Sequence, residues 1–400
     1  MPESTQPLRI ALLTHSVNPR GGVVHTLELA EALQAAGHTV TVFAPATAGQ
    51  RMFRQVACEL VLVPTAQTLP GVEAMVASRI AAFVAVFGAL LQQRSFDVFH
   101  AQDSISGNAL ASLRAQGLIA SFTRTVHHLD SFDNPRLTAW QHRAFAEADQ
   151  VLCVSRTWQD FMRTHYGIAA GCVPNGVNLR RYDAAPQPGD ARAGVLHGLR
   201  PGAPVVLAVG GIEERKNTQR LLEAFVQLRS HLPTDAAPQL VIAGGASLLD
   251  HDRYVADFHA LLAIYGLRHG IQEDVVLTGP VTDADMPALF RLASVVAMPS
   301  LREGFGLVVL EALASGTPVV VSRIAPFTEY LVDTPVAWAD PMDVASIAAA
   351  LQQALADPAI TQLPEVCLRF SWQASAAEHL VQYQAQQRKA QHRSLQFTAC

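Results

Sequence analysis

The stretch Ser300 to Glu329, SLREGFGLVVLEALASGTPVVVSRIAPFTE, decides the fold. A short loop carries Glu303, Gly304 and Gly306, and an apolar segment, Leu307 to Ala314, follows with Glu311 inside it. Gly316-Thr317-Pro318 then stops that segment ahead of the β-branched run Val319-Val320-Val321. Loop, buried helix, glycine stop and buried strand make a βα unit of a parallel sheet. Glycines at 304 and 306 let the backbone approach a ligand closely. The helix that starts beside them offers unpaired N–H groups and a positive dipole end, which suits a phosphate. Glu303 lies in the loop and Glu311 one to two turns inside the helix, so both can face one cleft at different heights. Taken alone, Glu303 reads best as a surface glutamate. Glu311 interrupts an apolar helix, and a buried carboxylate needs a hydrogen-bond donor such as a ribose diol.

Upstream of this stretch the same alternation repeats. Val205 to Val209 is a buried strand, followed by Gly210-Gly211, the charged loop Glu213-Glu214-Arg215-Lys216-Asn217 and a helix from Thr218 to Ser230. Strands are predicted at Leu240 to Ala243, Val275 to Thr278 and Val295 to Met298, and a helical tail at Trp372 to Gln387. In the first half, Leu8 to Thr14 leads through Gly21-Gly22 to a helix, Val23 to Ala36, and a strand, Thr39 to Ala44. Further strands are predicted at Leu60 to Val63, Val98 to Ala101, Thr123 to His127 and Val151 to Val154. Such alternation calls for two doubly wound α/β halves, with a cleft between the carboxyl ends of their strands. The turn-rich segment Val173 to Asn178 reads as the exit from the first half, and Asp183 to Gly189 as a linker. The opening βαβ unit lacks GxGxxG, which disfavours a dinucleotide and a hydride-transfer enzyme.

Composition narrows the function. The chain has 400 residues, a net charge of −5 and no basic run, which argues against nucleic acid. Its five cysteines are scattered without a CxxC pair, consistent with a reducing cytoplasm and no metal scaffold. No signal-peptide pattern opens the chain. The apolar stretch Ile80 to Leu91, flanked by Arg79 and Arg94, is expected to be a core helix too short to span a bilayer. Only two lysines occur, Lys216 and Lys389. In a chain that avoids lysine, Lys216 in a loop opening a helix suits a diphosphate; the alternative is a solvated loop charge. Gly21-Gly22 precede a helix and equally make a phosphate or acceptor contact or a plain tight turn. His127 ends a buried strand, and Asp103 follows another strand as a weaker acceptor-side candidate. Asp250-His-Asp252 and Asp283-Ala-Asp285 imitate a metal-binding Asp-x-Asp. Asp283 and Asp285 are read instead as structural carboxylates capping the helix Met286 to Leu292.

Two glutamates with seven residues between them, inside EGFGLVVLEALASGTPVV, resemble the signature of the retaining glycosyltransferases of family four (group 1), which have the GT-B fold. The likeness covers nearly the whole chain, and its opening is closest to an uncharacterised bacterial branch. The resemblance implies two Rossmann-like parallel-sheet domains facing each other across a cleft. They would span residues 1–176 on the acceptor side and 177–370 on the donor side, with 371–400 crossing back to the first domain. It implies transfer of a sugar from a UDP- or GDP-sugar, a substrate rather than a cofactor, to a small-molecule, lipid or glycan acceptor. The enzyme would be cytoplasmic and metal-independent, without a transmembrane segment, and free to make peripheral membrane contact. By position, Glu303, His127 and Lys216 take the catalytic roles. Donor contacts fall on Gly21, Gly22, Gly210, Gly211, Arg215, Lys216, Val281, Glu303, Gly304, Phe305, Gly306, Leu307 and Glu311, the last holding the ribose. Gly211 departs from the family's usual arginine; either Arg215 substitutes for it or phosphate binding is weaker than usual. Rival readings are a nucleotide-sugar-binding protein that has lost catalysis and another GT-B enzyme such as a nucleotide-sugar epimerase.

Overall fold

The computed structural model describes residues 6–66, 71–245, 251–357 and 360–398. From the N-terminus, β1 (Arg9–Leu13) leads through α1 (Gly21–Ala35) to β2 (Thr39–Ala46) and β3 (Glu59–Pro64). Then come α2 (Gly71–Leu90), β4 (Val98–Ala101), α3 (Ser104–Ala115), β5 (Thr123–Val126), α4 (Pro135–Ala146), β6 (Gln150–Cys153), α5 (Arg156–Tyr166) and β7 (Gly171–Cys172). After α6 (Asp190–Leu196), a second series runs β8 (Val205–Val209), α7 (Thr218–His231), β9 (Gln239–Ala243), α8 (Asp252–Ile264) and β10 (Val275–Gly279). It continues through α9 (Met286–Leu292), β11 (Val295–Met298), α10 (Leu307–Ala314), β12 (Val319–Ser322), α11 (Phe327–Tyr330) and β13 (Ala337–Ala339). The chain closes with α12 (Val344–Ala356), α13 (Glu365–Arg369) and α14 (Trp372–Thr398).

The strands pair in parallel in two sheets, ordered β3-β2-β1-β4-β5-β6-β7 and β10-β9-β8-β11-β12-β13. Both are Rossmann-like and doubly wound. Residues up to Gly176 together with those from Trp372 onward form one compact unit, and Val177–Ser371 form the other. Near-continuous apolar strands are what burial on both faces requires. In the first unit Phe43, Phe83, Phe87 and Phe122 fill one layer; in the second, Phe225, Phe258, Ile242 and Val320 do the same. Strand order reverses between β1 and β4, and again between β8 and β11. The crevice outside the carboxyl ends at such a reversal is where open α/β sheets bind ligands.

Three expectations need correction. The stretch Ile80 to Leu91 belongs to a 20-residue helix, α2, long and apolar enough by length and composition to cross a membrane. It is not a fully buried core helix either: Phe83 and Phe87 are its buried residues, while Val76, Ile80 and Leu90 pack partly against the first core. The segment Asp183 to Gly189 is no free linker. It lies within the second unit, where the Asp183 carbonyl accepts from Arg291 and Ala184 packs under Gly316. Asp285 stands at the N-cap of α9 without a side-chain cap bond; its carboxylate meets His197 Nε2 at 3.0 Å. Asp283 pairs with Arg181. Both acids are structural, as partners of Arg181 and His197 rather than caps. Asp252 opens α8, and Asp250 lies outside the described residues.

The loop before α10 is held rigidly. The Tyr330 hydroxyl donates to the Phe305 carbonyl at 2.8 Å, and the two rings stack at 4.8 Å. Gly306 caps α10 with φ of 91°, and a Cβ there would stand 2.5 Å from the Phe327 ring. Left-handed backbone and overpacking each cost about 1–3 kcal/mol. Gly306→Ala is therefore expected to destabilise the second unit by roughly 2–4 kcal/mol in urea titration. A loss under about 0.5 kcal/mol, the range of ordinary surface changes, would contradict this account of the loop.

Candidate functional site

The second unit's crevice is built from the loops after β8 and β11. Beyond β8 the chain turns at Gly210-Gly211, makes a short 3-10 turn at Glu214–Lys216 and enters α7 through Asn217 in the left-handed region (φ 60°). The Asn217 side-chain amide donates to the carbonyls of Pro299 and Pro341. The Leu301 amide donates to the Arg215 carbonyl at 2.9 Å. These bonds tie the two loops together across the strand reversal. Asn217 and its neighbour Ser300 were not singled out from sequence. The only signal was an asparagine directly after the candidate lysine, at a place suited to αL.

Lys216 and Arg215 converge on Glu303. Lys216 Nζ lies 2.7 Å from Glu303 Oε1 and Arg215 Nη1 3.0 Å from it, while the Ser300 hydroxyl donates to the same oxygen at 2.9 Å. Arg215 also reaches the Arg302 carbonyl, and lies 3.6 Å from Glu213. Glu303 is only 7% exposed. Burial pushes its carboxyl pKa upward, but the charges of Lys216 and Arg215, with hydrogen bonds from Lys216 and Ser300, hold it down to about 2. Burial lowers the Lys216 pKa against the pull of Glu303. The site thus gathers two cations on one ionised carboxylate. An ammonium has three N–H donors, so Lys216 can hold Glu303 and still reach an anion.

The glycines here are fixed by backbone crossing. A Cβ on Gly211 would lie 2.6 Å from the Gly245 carbonyl oxygen, and one on Gly244 would lie 2.6 Å from Gly210. Pro280, just before the buried Val281, packs beneath Gly245. An arginine at position 211 has no room in this crossing. A guanidinium stands in the following turn, where Arg215 meets Glu303. A shallow cleft lined by Gly210, Gly211, Lys216, Thr218, Met298 and Ser300 opens beside it. On its far side Gly304, Phe305 and Gly306 are buried and lead into Leu307 at the start of α10, which has no side-chain cap. Glu311 sits one turn in, 9% exposed.

In the first unit, His127 follows β5 directly. Its Nε2 is 3.2 Å from Gln102 Oε1, its ring centroid is 4.6 Å from that of His25, and Gly22 lies close under it, with space for a Cβ only 3.6 Å from the ring. Burial, then the charges of neighbouring histidines and Arg124, drive the His127 pKa well below the usual value, so the ring is neutral at pH 7. Gly21 and Gly22 open α1, whose N-cap has no side-chain hydrogen bond. Asp103 caps α3, accepting from the Ser106 amide at 2.8 Å. It therefore has a structural task whatever else it does. Among the described residues no group of three His, Cys, Asp or Glu side chains is placed to hold a metal ion.

Comparison with known proteins follows the same lines. The model for glycosyl transferases group 1 matches residues 196–373, and that for glycosyltransferase family 4 matches residues 19–181. A D-inositol 3-phosphate glycosyltransferase of Salinispora tropica is 29% identical over 393 residues, covering 83% of this chain and 77% of its own. A GDP-mannose-dependent alpha-(1-6)-phosphatidylinositol monomannoside mannosyltransferase of Mycolicibacterium smegmatis is 29% identical over 371 residues, with 87% and 89% covered. Among solved structures, sucrose-phosphate synthase of Thermosynechococcus elongatus superposes with a TM-score of 0.75 at 24% identity, over 94% of this chain and 98% of the other. Anabaena HepE in complex with UDP-glucose gives 0.69 at 20% identity, over 94% and 100%. These structures share the GT-B fold with this chain.

Proposed function

The chain belongs to the group 1, family-four glycosyltransferases, and on that premise we propose that it transfers a sugar from a UDP- or GDP-sugar to an acceptor with retention of anomeric configuration. One observation carries the reading: Lys216 and Arg215 meet on ionised Glu303 beside the uncapped start of α10, at the strand reversal of the second unit. Positive charge fixed there suits a diphosphate whose negative charge grows as the sugar–oxygen bond breaks. The bond from the anomeric carbon to the diphosphate breaks and one to the acceptor oxygen forms on the same face. The acceptor's proton leaves with the departing phosphate. The reading needs no metal ion, because Lys216 and Arg215 supply the charge. Glu303 orients Lys216 and faces the donor sugar, Glu311 holds the ribose diol, and neutral His127 serves as a hydrogen-bonding group for the sugar rather than a cation. The four described cysteines, Cys58, Cys153, Cys172 and Cys367, are free thiols, which supports placing the reaction in the cytoplasm.

The test is acceptor-dependent release of nucleoside diphosphate from a panel of UDP-, GDP- and ADP-sugars, with the anomer of the product read by NMR. Inversion, or turnover of the donor without acceptor, would reject the retaining transferase. Glu311→Ala is expected to weaken nucleoside diphosphate binding by roughly tenfold, the worth of a charge-assisted bond, while leaving inorganic diphosphate binding intact. Equal binding of UDP or GDP by parent and variant in calorimetry would remove Glu311 from the ribose.

A further inference from the structure

The edge of the first sheet brings two cysteines side by side. Cys153 closes β6 and Cys172 closes β7, and the parallel ladder sets them in register, with Leu152 opposite Gly171 one step earlier. In sequence they lie far apart with no CxxC spacing, so only the strand register reveals the pair. In-register neighbours on parallel strands stand about 4.8 Å apart and point to the same face. The preceding pair shows how near such side chains come: a Cβ on Gly171 would lie 2.8 Å from Leu152 Cδ2. That face is taken by Leu152 and by Gln382 of α14, so the cysteines share the opposite one. There Cys153 is fully buried in a cluster with Phe145, Trp158 and Met162, while Cys172 is half-buried. The Val173 amide donates to the Cys153 carbonyl at 2.8 Å, which anchors the segment after β7. Asn175, two residues further on, holds His25, whose ring meets that of His127. The pair therefore sits at the root of the segment that closes this part of the first unit at Gly176.

A separation of about 4.8 Å falls inside the Cα range that a disulfide spans, so the two sulfurs can join without unpairing the strands. Parallel neighbours hold their Cβ atoms wider than the roughly 3.8 Å of a relaxed bridge, so the bond carries strain and is readily reduced. We propose that Cys172 and Cys153 form a reversible disulfide when the protein meets a hydroperoxide. Cys172, the more exposed, reacts first. Its thiolate attacks one peroxide oxygen; an S–O bond forms, the O–O bond breaks, and the departing hydroxide takes up a proton to leave as water. The Cys153 sulfur then attacks the sulfenic sulfur. The S–S bond forms as the S–O bond breaks, and the Cys153 proton leaves with the hydroxide as a second water. Two thiols give up two electrons, and one peroxide takes them. Burial, with Cys172 beside it, pushes the Cys153 thiol up to about 12, so Cys153 does not attack peroxide itself. Held next to the sulfenic acid, it resolves that acid by proximity. Both residues are thiols in the structure, the resting state that a reducing compartment maintains. The site is independent of the transferase reading.

The experiment treats the full chain with hydrogen peroxide, denatures it, blocks the remaining thiols with iodoacetamide and maps the peptides by mass. The parent should yield a peptide pair crosslinked through Cys153 and Cys172, lighter by two hydrogens than the two free peptides, and glutathione should reverse it. Cys172→Ser should give neither the crosslink nor a sulfenic acid at Cys153. Cys153→Ala should leave Cys172 as a sulfenic acid that a cyclic 1,3-diketone captures and that the parent does not accumulate. Thermal unfolding before treatment shows whether each variant is folded. If Cys153→Ala, altered in the core, does not fold, the parent and Cys172→Ser decide alone. A parent in which both cysteines take up iodoacetamide after peroxide has no such site. A crosslink from either cysteine to a different one, or between two chains, overturns the pairing equally. Cys172 carried on to sulfinic acid in the parent would show that Cys153 does not reach it. A bridge that glutathione leaves intact would be a structural disulfide, and the reversible modification would have to go.

Discussion

Replacing Lys216 by methionine is expected to cost the second unit about 3 kcal/mol and to weaken nucleoside diphosphate binding about ten- to a hundredfold. Methionine keeps the apolar stem that packs against Gly210 and removes only the ammonium. The stability loss follows from what remains. Glu303, 7% exposed, would keep Arg215 and Ser300 but lose its closest cation, and its pKa would climb from about 2 because burial would be less opposed. The binding loss has a different origin, the missing charge at the diphosphate. Glu303→Gln separates the two. In the double variant Lys216→Met/Glu303→Gln the stranded carboxylate is gone, so stability should recover while diphosphate binding stays weak. Bare nucleoside should bind parent and variants alike. Turnover should fall further than affinity, since charge on the leaving oxygen is greatest in the transition state. If nucleoside and nucleoside diphosphate lose affinity equally, Lys216 acts through packing and the phosphate assignment is wrong.

The sequence carried most of this second-unit site because each part has a local signature. Glycines flank Glu303, Glu311 breaks an apolar helix, and Lys216 is one of two lysines in the chain. Strand cores such as Val205–Val209 and Val295–Met298 are legible because burial on both faces leaves unbroken apolar runs. Contacts made across the fold were not legible. That Lys216 pairs with a glutamate 87 positions away, or that Gly211 is required by the Gly245 carbonyl, depends on two loops meeting over the sheet. Helix ends also slipped. The tail was read to Gln387, whereas α14 runs to Thr398, because its polar later turns give no apolar period to follow. The short strands β7 and β13, two and three residues long, lack enough sequence to show a pattern. Arginine carried no such signal by count. Twenty-seven are present, so count alone cannot distinguish the buried Arg124 from surface arginines; its place within a strand does.

Acid should unfold the first unit at a pH where carboxylates are still ionised, because three histidines are buried there without charge. His25 pairs through Nδ1 with the Asn175 side chain at 2.8 Å; His100 bridges the Tyr383 hydroxyl and Thr125, each at 2.7 Å; His379 Nδ1 donates to the Ser375 carbonyl at 2.8 Å. All three are 0% exposed, and two of their partners are on α14, so the cluster seats that helix on α1 and β4. Burial, reinforced at His25 and His100 by neighbouring histidines, lowers each pKa: to about 3 for His25, to about 4 for His379, and well below 6.5 for His100. With folded values depressed, the unfolded chain binds more protons below pH 6.5. The stability contribution is therefore complete above 6.5 and is lost as pH falls from there toward the folded values. Each group loses about 1.4 kcal/mol between pH 7.5 and 5.5, so the three together lose roughly 4, a large part of a typical domain's stability. His127, His15 and His38 shift in the same direction and add to this loss. Urea titrations at half-unit pH steps would measure the slope. Removing one proton site, as in His379→Gln, should reduce the slope by about a third of the three-histidine contribution, whatever it does to stability at pH 7.5. A first unit equally stable at pH 7.5 and 5.5, or a slope unchanged in His379→Gln, would mean that the cluster accepts protons in the folded state and does not hold α14 by staying neutral.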